Sequence, residues 1–293
     1  MQRENITRRE EYTDAIGLAG GRELPLSRPL VMGVLNVTPD SFSDGGRYLR
    51  KEVAVRHALE MVGQGADIID VGGESTRPGA DPVGDEQEQA RIVPVIEALR
   101  RQSPVAISVD SYHASTARAA IRAGADIVND VSALRFDPAM AAVVAAEGVP
   151  VILMHMLGTP RDMQKDPVYV DCVREIDAFF EERIEHCRRS GIDAARLILD
   201  PGIGFGKRLS DNVDILRHLG RFKRHGLPLA VGTSRKSFLG MLHPAGSEPD
   251  QRLGGSVASA LAAVAHGADI VRVHDVGQTV VALKVVQAIG DNR

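Results

Sequence analysis

The chain has 293 residues, of which 44% are hydrophobic and 25% are charged, and its formal net charge is −4. This length is ample for one large α/β domain with a sizeable core, and the composition is that of an ordinary globular protein. The weakly acidic balance argues against binding to nucleic acid or to an anionic membrane surface.

No targeting or membrane segment is predicted. The N-terminus lacks the apolar core of a signal peptide, and no run approaches the roughly 18 apolar residues of a membrane span. The two cysteines, Cys172 and Cys187, fall in one predicted helix and form neither a metal motif nor a disulfide framework. We therefore expect a cytoplasmic protein with reduced thiols.

Short apolar runs alternate with helical patterns along the chain. The runs are rich in Val, Ile and Leu and nearly continuous, which is typical of parallel strands covered on both faces. Predicted strands are Leu30–Val37, Asp67–Val71, Val105–Val109, Asp126–Val131, Val149–Met154, Arg196–Leu199, Leu227–Val231 and Asp269–Val273. Helices with apolar residues at three- and four-residue spacing are predicted at Val53–Gln64, Glu86–Arg101, Ala114–Ala123, Pro138–Glu147, Val168–Ser190, Asp211–His225, Leu253–His266 and Val280–Ile289.

This eightfold alternation favours the α/β class and, within it, a closed (β/α)8 TIM barrel over residues 29–290, with a doubly wound open sheet as the structural alternative. Residues 1–28 show no clear periodicity, and we expect them to form an N-terminal extension packed beside or across the barrel bottom. A Gly-Ala-Asp sequence recurs where a helical pattern ends and a strand begins, at Gly65, Gly124 and Gly267. These glycines suit the left-handed position just past a helix end and are interpreted as structural.

Polar residues gather at the C-terminal ends of the predicted strands. Active sites of such barrels lie at this end, and polar residues at all eight ends are hard to explain as helix caps alone. The polar segments begin at Asn36, Asp70, Asp110, Asn129, His155, Asp200, Thr233 and Arg272.

The residue types at these ends predict a site with two kinds of charge. Arg77, Lys236, Arg272 and His274 are cations suited to a phosphate or pyrophosphate. The carboxylates Asp110 and Asp200 lie near the barrel axis and suit a ring edge rich in N–H donors. We therefore expect an acidic interior that binds a ring and a basic rim that binds an anion. His155 ends a strand, and its role, functional or merely orienting, stays open.

At these same segments the chain resembles dihydropteroate synthase. The resemblance covers residues 30–290, and the first two motifs are long and specific. The matching stretches are GVLNVTPDSFSDGG from Gly33, DVGGESTRPG from Asp70, SVD from Ser108, VND from Val128, HMLGTPRDMQ from His155, DPGIGFGK from Asp200, SRKS from Ser234 and RVHD from Arg272.

The resemblance implies roles for matching positions. Asp110, Asn129, Asp200 and Lys236 would bind the pterin ring. Pyrophosphate would be held by Thr76, Arg77, Arg272 and His274, with Mg²⁺ as the cofactor at Asn36. The 4-aminobenzoate site would comprise Phe42, Pro78, Phe205, Lys236 and Ser237.

The implied reaction joins a pterin pyrophosphate to 4-aminobenzoate by an SN1-like route, with Asp110, Lys236, Arg272 and His274 as the catalytic residues. The loops after the first two barrel strands would be mobile lids, and the enzyme would be a homodimer acting on small molecules. Two alternatives remain: a pterin-dependent methyltransferase domain that serves a corrinoid protein, and a catalytically silent pterin-binding paralogue. The RVH and STRPG segments argue against the first, and the completeness of the loop motifs argues against the second.

Overall fold

The computed structural model describes residues 13–38, 47–74, 83–242 and 248–290. Ten strands are found in these ranges, in two sheets. A short antiparallel hairpin comes first, with β1 (Ala15–Gly17) and β2 (Glu23–Pro25). The eight parallel strands that follow are β3 (Leu30–Asn36), β4 (Ile68–Gly72), β5 (Ala106–Asp110), β6 (Ile127–Asp130), β7 (Val151–Met154), β8 (Leu197–Asp200), β9 (Ala230–Gly232) and β10 (Ile270–Val273).

Helices connect these strands. They are α1 (Arg47–Gly63), α2 (Asp85–Gln102), α3 (Ala114–Arg122), α4 (Met140–Glu147), α5 (Cys172–Arg189), α6 (Leu209–Arg217), α7 (Ser237–Leu242), α8 (Leu253–Ala265) and α9 (Val276–Gly290). The eight predicted strands and the eight predicted helices are all present, with boundaries shifted by a few residues.

Three differences have local causes. Helix α5 begins at Cys172 rather than near Val168, because the Asp171 side chain accepts a hydrogen bond from the Arg174 amide and caps the helix. The predicted helix Asp211–His225 is divided: α6 ends at Arg217, and a 3-10 helix follows from Leu219 to His225. Helix α7 was not predicted, since its six residues are too few to show a helical period.

The eight parallel strands close into a barrel. Their order is β8-β7-β6-β5-β4-β3-β10-β9, with parallel pairing throughout. The two ends of this order meet where Leu199 bridges Leu229 and donates its amide to the Pro228 carbonyl at 2.9 Å. The predicted barrel is therefore confirmed, and the open-sheet alternative is wrong.

The repeated Gly-Ala-Asp turns lie at the barrel bottom. Gly65, Gly124 and Gly267 have φ of +104°, +113° and +106°, the left-handed conformation that glycine adopts without a steric cost. Each aspartate then accepts a backbone amide of the preceding barrel strand or its lead-in, and also bonds a cation. The amide and the cation are those of Val31 and Arg28 for Asp67, of Ile107 and Arg100 for Asp126, and of Leu229 and Lys223 for Asp269.

Of the predicted N-terminal extension, residues 1–12 lie outside the described residues, and the hairpin that follows them covers the barrel bottom. Ile16 and Leu18 are buried in a cluster with the innermost layer of strand side chains, among them Met32, Ile68 and Ile152. A second, larger apolar cluster fills the space between the strands and the surrounding helices. The hairpin therefore seals the lower end of the barrel and leaves the opposite end for a site.

Both cysteine thiols are buried in the outer core, and burial raises the pKa of Cys172 to about 12 and that of Cys187 to about 11. None of the helices in the described ranges combines the length and the apolar character needed to cross a membrane.

The hairpin's role at the barrel bottom leads to the first prediction. Ile16 is 1% exposed, so truncation to alanine leaves a cavity against the innermost layer. An Ile16→Ala variant is expected to lose about 2–5 kcal/mol of unfolding free energy. Urea denaturation measures this loss, with Glu23→Ala on the exposed side of the same hairpin as the control. Equal stability of the two variants would contradict the sealing role.

Candidate active site

The side chains that face the barrel interior alternate along each strand. Those at the bottom include Met32, Ile68, Ile198 and Ile270, and all belong to the innermost apolar cluster. Because strand side chains alternate between faces, the residues two positions later face the same interior. This second layer contains the polar residues Asp70, Ser108, Asn129, Asp200 and Arg272. Asp110 follows Ser108 by two residues on the same strand and faces the same interior.

Arg272 lies at the centre of this polar layer. Its Nε donates to Asp70 Oδ2 at 2.6 Å, and its Nη2 donates to Asp110 Oδ2 at 2.7 Å. Asn129 Nδ2 donates to the same Asp70 oxygen at 3.1 Å. Two buried oxygens beside them, Asp70 Oδ1 and Ser108 Oγ, have no hydrogen-bond partner in the described parts of the chain. Such atoms are uncommon in a protein interior and mark a place where a polar ligand is accommodated.

The charges in this layer shift one another's protonation. Burial raises the pKa of Asp110 to about 7, against the opposing effect of Arg272 and with the help of the Asp70 carboxylate. Burial opposes the charge of Arg272, but Asp70 and Asp110 together outweigh it and raise the Arg272 pKa. One guanidinium thus pairs with two carboxylates.

Asp200 and Lys236 form the other half of the interior. Asp200 is buried, which raises its pKa, and its Oδ1 accepts the Gly202 amide at 2.7 Å. Burial lowers the pKa of Lys236 to about 8, although the Asp200 charge favours its ammonium form. Lys236 Nζ donates to the Ile203 carbonyl and lies 4.5 Å from the centre of the Phe205 ring. The structure therefore brings Asp200, Lys236 and Phe205 together.

The expected division into an acidic interior and a basic rim is wrong for two of the cations. Arg272 and Lys236 do not lie on a rim but among the buried carboxylates, because their long side chains reach inward from the strand ends. His274 lies further out, where its backbone amide donates to Ser234 Oγ at 3.2 Å and its Nδ1 lies 3.1 Å from the same oxygen. Ser237 is exposed at the start of α7.

Asn36 is half-buried at the end of β3, and β3 pairs directly with β10, the strand of Arg272. Its carboxamide offers one neutral oxygen, which suits a Mg²⁺ ion held mainly by substrate phosphates and water. Four predicted site residues, Phe42, Thr76, Arg77 and Pro78, lie outside the described residues, as do the tips of both predicted lids.

Two important residues were missed among the predicted site residues. Asp70 is fully buried and holds both Arg272 and Asn129; the signal was an aspartate inside an otherwise apolar strand. Lys207 is also buried, in contact with His155. Asp130, in contrast, accepts the amides of Ser132 and Leu134 and so fixes its own loop rather than a ligand.

One cluster of possible metal ligands is found within the described ranges, and Asn36 is not a member of it. It consists of Glu74, Glu88 and His113, whose ligand atoms lie within 4.8 Å of one another. His113 Nδ1 is 3.0 Å from Glu88 Oε2, and this bond raises the His113 pKa. Glu88 Oε2 also accepts from Ser111 Oγ at 2.9 Å, so the cluster is explained by hydrogen bonds within the protein.

Comparison with known proteins agrees with this architecture. Residues 32–274 match the family model described as pterin binding enzyme. The dihydropteroate synthase of Escherichia coli K12 is 49% identical over 270 residues, which are 92% of this chain and 95% of that protein. The Xanthomonas albilineans dihydropteroate synthase with 4-aminobenzoic acid is 48% identical, with a TM-score of 0.89 over 95% of this chain and 98% of that one. The same enzyme in complex with 7,8-dihydropteroate is 47% identical, with a TM-score of 0.84 over 92% and 97% of the two chains.

These likenesses first place the chain in the class of pterin-binding barrels, which the carboxylate-lined interior fits. The chain belongs to the dihydropteroate synthase family of pterin-binding enzymes. The family resemblance found in the sequence motifs is thereby confirmed, as is the assignment to the transferases.

The electrostatics of the interior lead to a second prediction. Asp70→Asn keeps the side-chain shape but removes the carboxylate that helps to raise the pKa of Asp110 and that shares Arg272 with it. The Asp110 pKa is therefore expected to fall from about 7 towards the ordinary aspartate range. Carbon-detected NMR titration of the aspartate carboxyls measures the change. Ser108→Ala, which removes a buried oxygen without removing charge, is the control, and the same pKa in both variants would contradict the assigned cause.

Proposed function

We propose that this chain condenses 6-hydroxymethyl-7,8-dihydropterin pyrophosphate with 4-aminobenzoate, giving 7,8-dihydropteroate and pyrophosphate for folate biosynthesis. The observation that carries the proposal is the polar layer inside the barrel, where buried carboxylates and two long cations lie around one interior space. Solved relatives that hold 4-aminobenzoic acid and 7,8-dihydropteroate support the same reaction.

The pterin ring is assigned to the interior. Asp200 has one carboxylate oxygen on the Gly202 amide, and a carboxylate accepts several hydrogen bonds, so it can also bind the N–H edge of the ring. Asn129 and Asp110 lie side by side in the paired strands β5 and β6. Lys236 adds a donor from the β9 side. Together these four residues match a flat ligand that carries both donors and acceptors.

Bond breaking comes first in the proposed mechanism. The C–O bond to pyrophosphate breaks and leaves a positive charge on the pterin methylene. A carboxylate fixed near that carbon stabilises the charge as it develops, and this role falls to Asp110, whose ionised form is required. The aniline nitrogen of 4-aminobenzoate then attacks the carbon and loses a proton.

The leaving pyrophosphate is assigned to the end of the barrel where β3 and β10 meet. Arg272 lies on β10 and His274 follows that strand. Thr76 and Arg77 are assigned to the pyrophosphate by family resemblance alone. Asn36 would hold Mg²⁺, which when bound supplies positive charge to the departing oxygens. The 4-aminobenzoate is assigned to Phe205, Lys236 and Ser237, with Phe42 and Pro78 added by resemblance.

A homodimer and a cytoplasmic location complete the proposal. Helix α9 exposes four large apolar side chains on one side, Val281, Val285, Val286 and Ile289, whose spacing of four, five and eight residues keeps them together. A contiguous exposed apolar face is a common feature of protein interfaces, and a second copy of this chain is the occupant assigned to it. Two buried free thiols suit a reducing compartment.

The alternatives differ in a measurable product. A catalytically silent paralogue would bind a pterin without releasing pyrophosphate, and a methyltransferase domain would not use 4-aminobenzoate. A coupled assay of pyrophosphate release with both substrates separates the proposed activity from both alternatives. Release that depends on both substrates supports the proposal, and binding without release would overturn it.

The third prediction separates chemistry from binding. Asp200→Asn is expected to raise KM for the pterin substrate, by the equivalent of about 1.5–3 kcal/mol for a hydrogen bond to a charged group. Asp110→Asn is expected to lower kcat more than it raises KM, because its charge matters most as the cation forms. Steady-state kinetics of both variants test this, since each keeps the side-chain shape. An Asp110→Asn variant changed only in KM would make Asp110 a ring-binding residue.

The fourth prediction concerns the anion. Pyrophosphate is expected to bind more tightly with Mg²⁺ than without it, because Asn36 alone offers a neutral ligand and the ion is shared with the phosphates. Arg272→Ala is expected to weaken pyrophosphate binding in both conditions. Isothermal calorimetry measures the affinity for pyrophosphate of the wild type and of Arg272→Ala, each with and without Mg²⁺. Unchanged binding by Arg272→Ala would remove that residue from the proposed pyrophosphate site.

A further inference from the structure

The loop between β8 and α6 carries Phe205 and is pressed against the segment that follows β7. Gly202, Gly204 and Gly206 all have positive φ, at +66°, +80° and +64°. A Cβ on Gly202 would lie 1.9 Å from the His155 carbonyl oxygen, and one on Gly206 would lie 2.5 Å from the Leu157 carbonyl oxygen. Glycine is therefore required at both positions, since the two backbone segments touch.

Side chains from outside the regular elements hold this loop in shape. Four consecutive carbonyls, those of residues 203–206, each accept a hydrogen bond from a different side chain. The donors are Lys236 Nζ to Ile203, Gln164 Nε2 to Gly204 at 2.7 Å, Lys207 Nζ to Phe205 at 3.0 Å and Tyr169 OH to Gly206 at 2.8 Å. Each bond fixes the orientation of one peptide plane, in addition to the loop's own backbone bond from the Phe205 amide to the Gly202 carbonyl at 3.1 Å. These four side-chain hydrogen bonds are called the braces of the loop.

Lys207 is the brace at Phe205 itself. It is 4% exposed, and its Nζ lies 3.0 Å from His155 Nδ1, 3.3 Å from the His155 carbonyl and 3.0 Å from the Phe205 carbonyl. An ammonium has three N–H donors and here has three acceptors, whereas a neutral amine has only two donors. The geometry therefore matches the charged form of the side chain, against the effect of burial, which lowers the Lys207 pKa to about 7.

His155 completes this arrangement as an acceptor. Its Nδ1 must be unprotonated to accept from an ammonium, which puts the ring proton on Nε2. Burial and the Lys207 charge both lower the His155 pKa well below its usual value, in agreement with a neutral ring. Phe179 packs edge-on against that ring, with the ring centres 4.9 Å apart. His155 thus connects the β7 end to the Phe205 loop without being assigned to the substrate.

We propose that Lys207, with His155 as its acceptor, is a positioning residue for the 4-aminobenzoate end of the site. It fixes the backbone at Phe205 and thereby holds the Phe205 ring against the Lys236 ammonium. This inference rests on the proposed function, because it uses the assignment of Phe205 to 4-aminobenzoate. It adds Lys207 and His155 to the residues that shape the 4-aminobenzoate site, and neither of them touches the substrate in this assignment.

The test is the change in KM for each substrate of a Lys207→Met variant, which keeps the length of the side chain and removes its donors. KM for 4-aminobenzoate is expected to rise about tenfold or more, as for a lost hydrogen bond to a charged group. KM for the pterin substrate is expected to stay within about twofold, because Asp110, Asn129 and Asp200 lie on strands and not in the braced loop. Lys236, the fourth pterin residue, is held through the Ile203 carbonyl, to which Lys207 does not bond. A general loss of structure would change both constants.

Three further variants make the test specific. His155→Leu removes the acceptor and is expected to reproduce the Lys207→Met effect, while His155→Asn retains an oxygen near the Nδ1 position and is expected to restore part of the lost affinity. Lys223→Met is the matched control, since it removes a half-buried lysine bonded to Asp269 at the opposite end of the barrel. It is expected to lower the melting temperature without changing the ratio of the two KM values.

Failure of the inference and failure of the proposed function give different results. If Lys207→Met raises both KM values equally, or behaves as Lys223→Met does, the brace is structural and the inference is wrong. If the wild-type protein releases no pyrophosphate, the proposed function fails instead. Calorimetry of 4-aminobenzoate with wild type and Lys207→Met then decides the brace separately, and equal affinities would overturn it.

Discussion

The interior of this barrel depends on one guanidinium placed between two buried carboxylates. Arg272 reaches from β10 past the neighbouring strand β3 to Asp70 on β4 and Asp110 on β5. Buried charges are costly unless they are paired, and the loss of one partner leaves the others unpaired at a cost of several kcal/mol. Strand pairing and site assembly are therefore linked, since the three charges come together only when β10, β3, β4 and β5 lie side by side in the sheet.

The charges in this pairing are unequal, with one guanidinium between two carboxyl groups. Arg272 supplies one positive charge to Asp70 and Asp110, and this charge does not prevent burial and the Asp70 carboxylate from raising the pKa of Asp110 to about 7. A carboxylate in this condition is less stable in the empty protein than it becomes when a positive charge develops beside it. The same imbalance that costs folding free energy thus favours a cationic species in the interior, and this is the property that an SN1-like reaction requires.

The sequence was sufficient for the strand order, because eight nearly continuous apolar runs separated by helical patterns permit few other arrangements. It also placed Asp110, Asn129 and Asp200 correctly, since residues at strand ends converge in a parallel barrel. It did not predict that Arg272 and Lys236 turn inward, because side-chain length and strand stagger decide this. The braces at residues 203–206 were also not predictable, because a bond from a side chain to a distant backbone carbonyl leaves no sequence pattern.

The two ends of the barrel use similar chemistry for different purposes. At the bottom, Asp67, Asp126 and Asp269 each join a strand amide to a cation, and the N-terminal hairpin seals the apolar layer beneath the site. At the top, the strands that follow these three aspartates carry Asp70, Asn129 and Arg272, which lie together in the polar layer. Asp67 and Asp70 are three residues apart on either side of the start of β4, so one strand carries both a structural clamp and a functional charge. Because that strand is rigid and short, the clamp at its lower end fixes the depth at which Asp70 meets Arg272. The clamp at the bottom is for this reason a condition for the charge arrangement at the top.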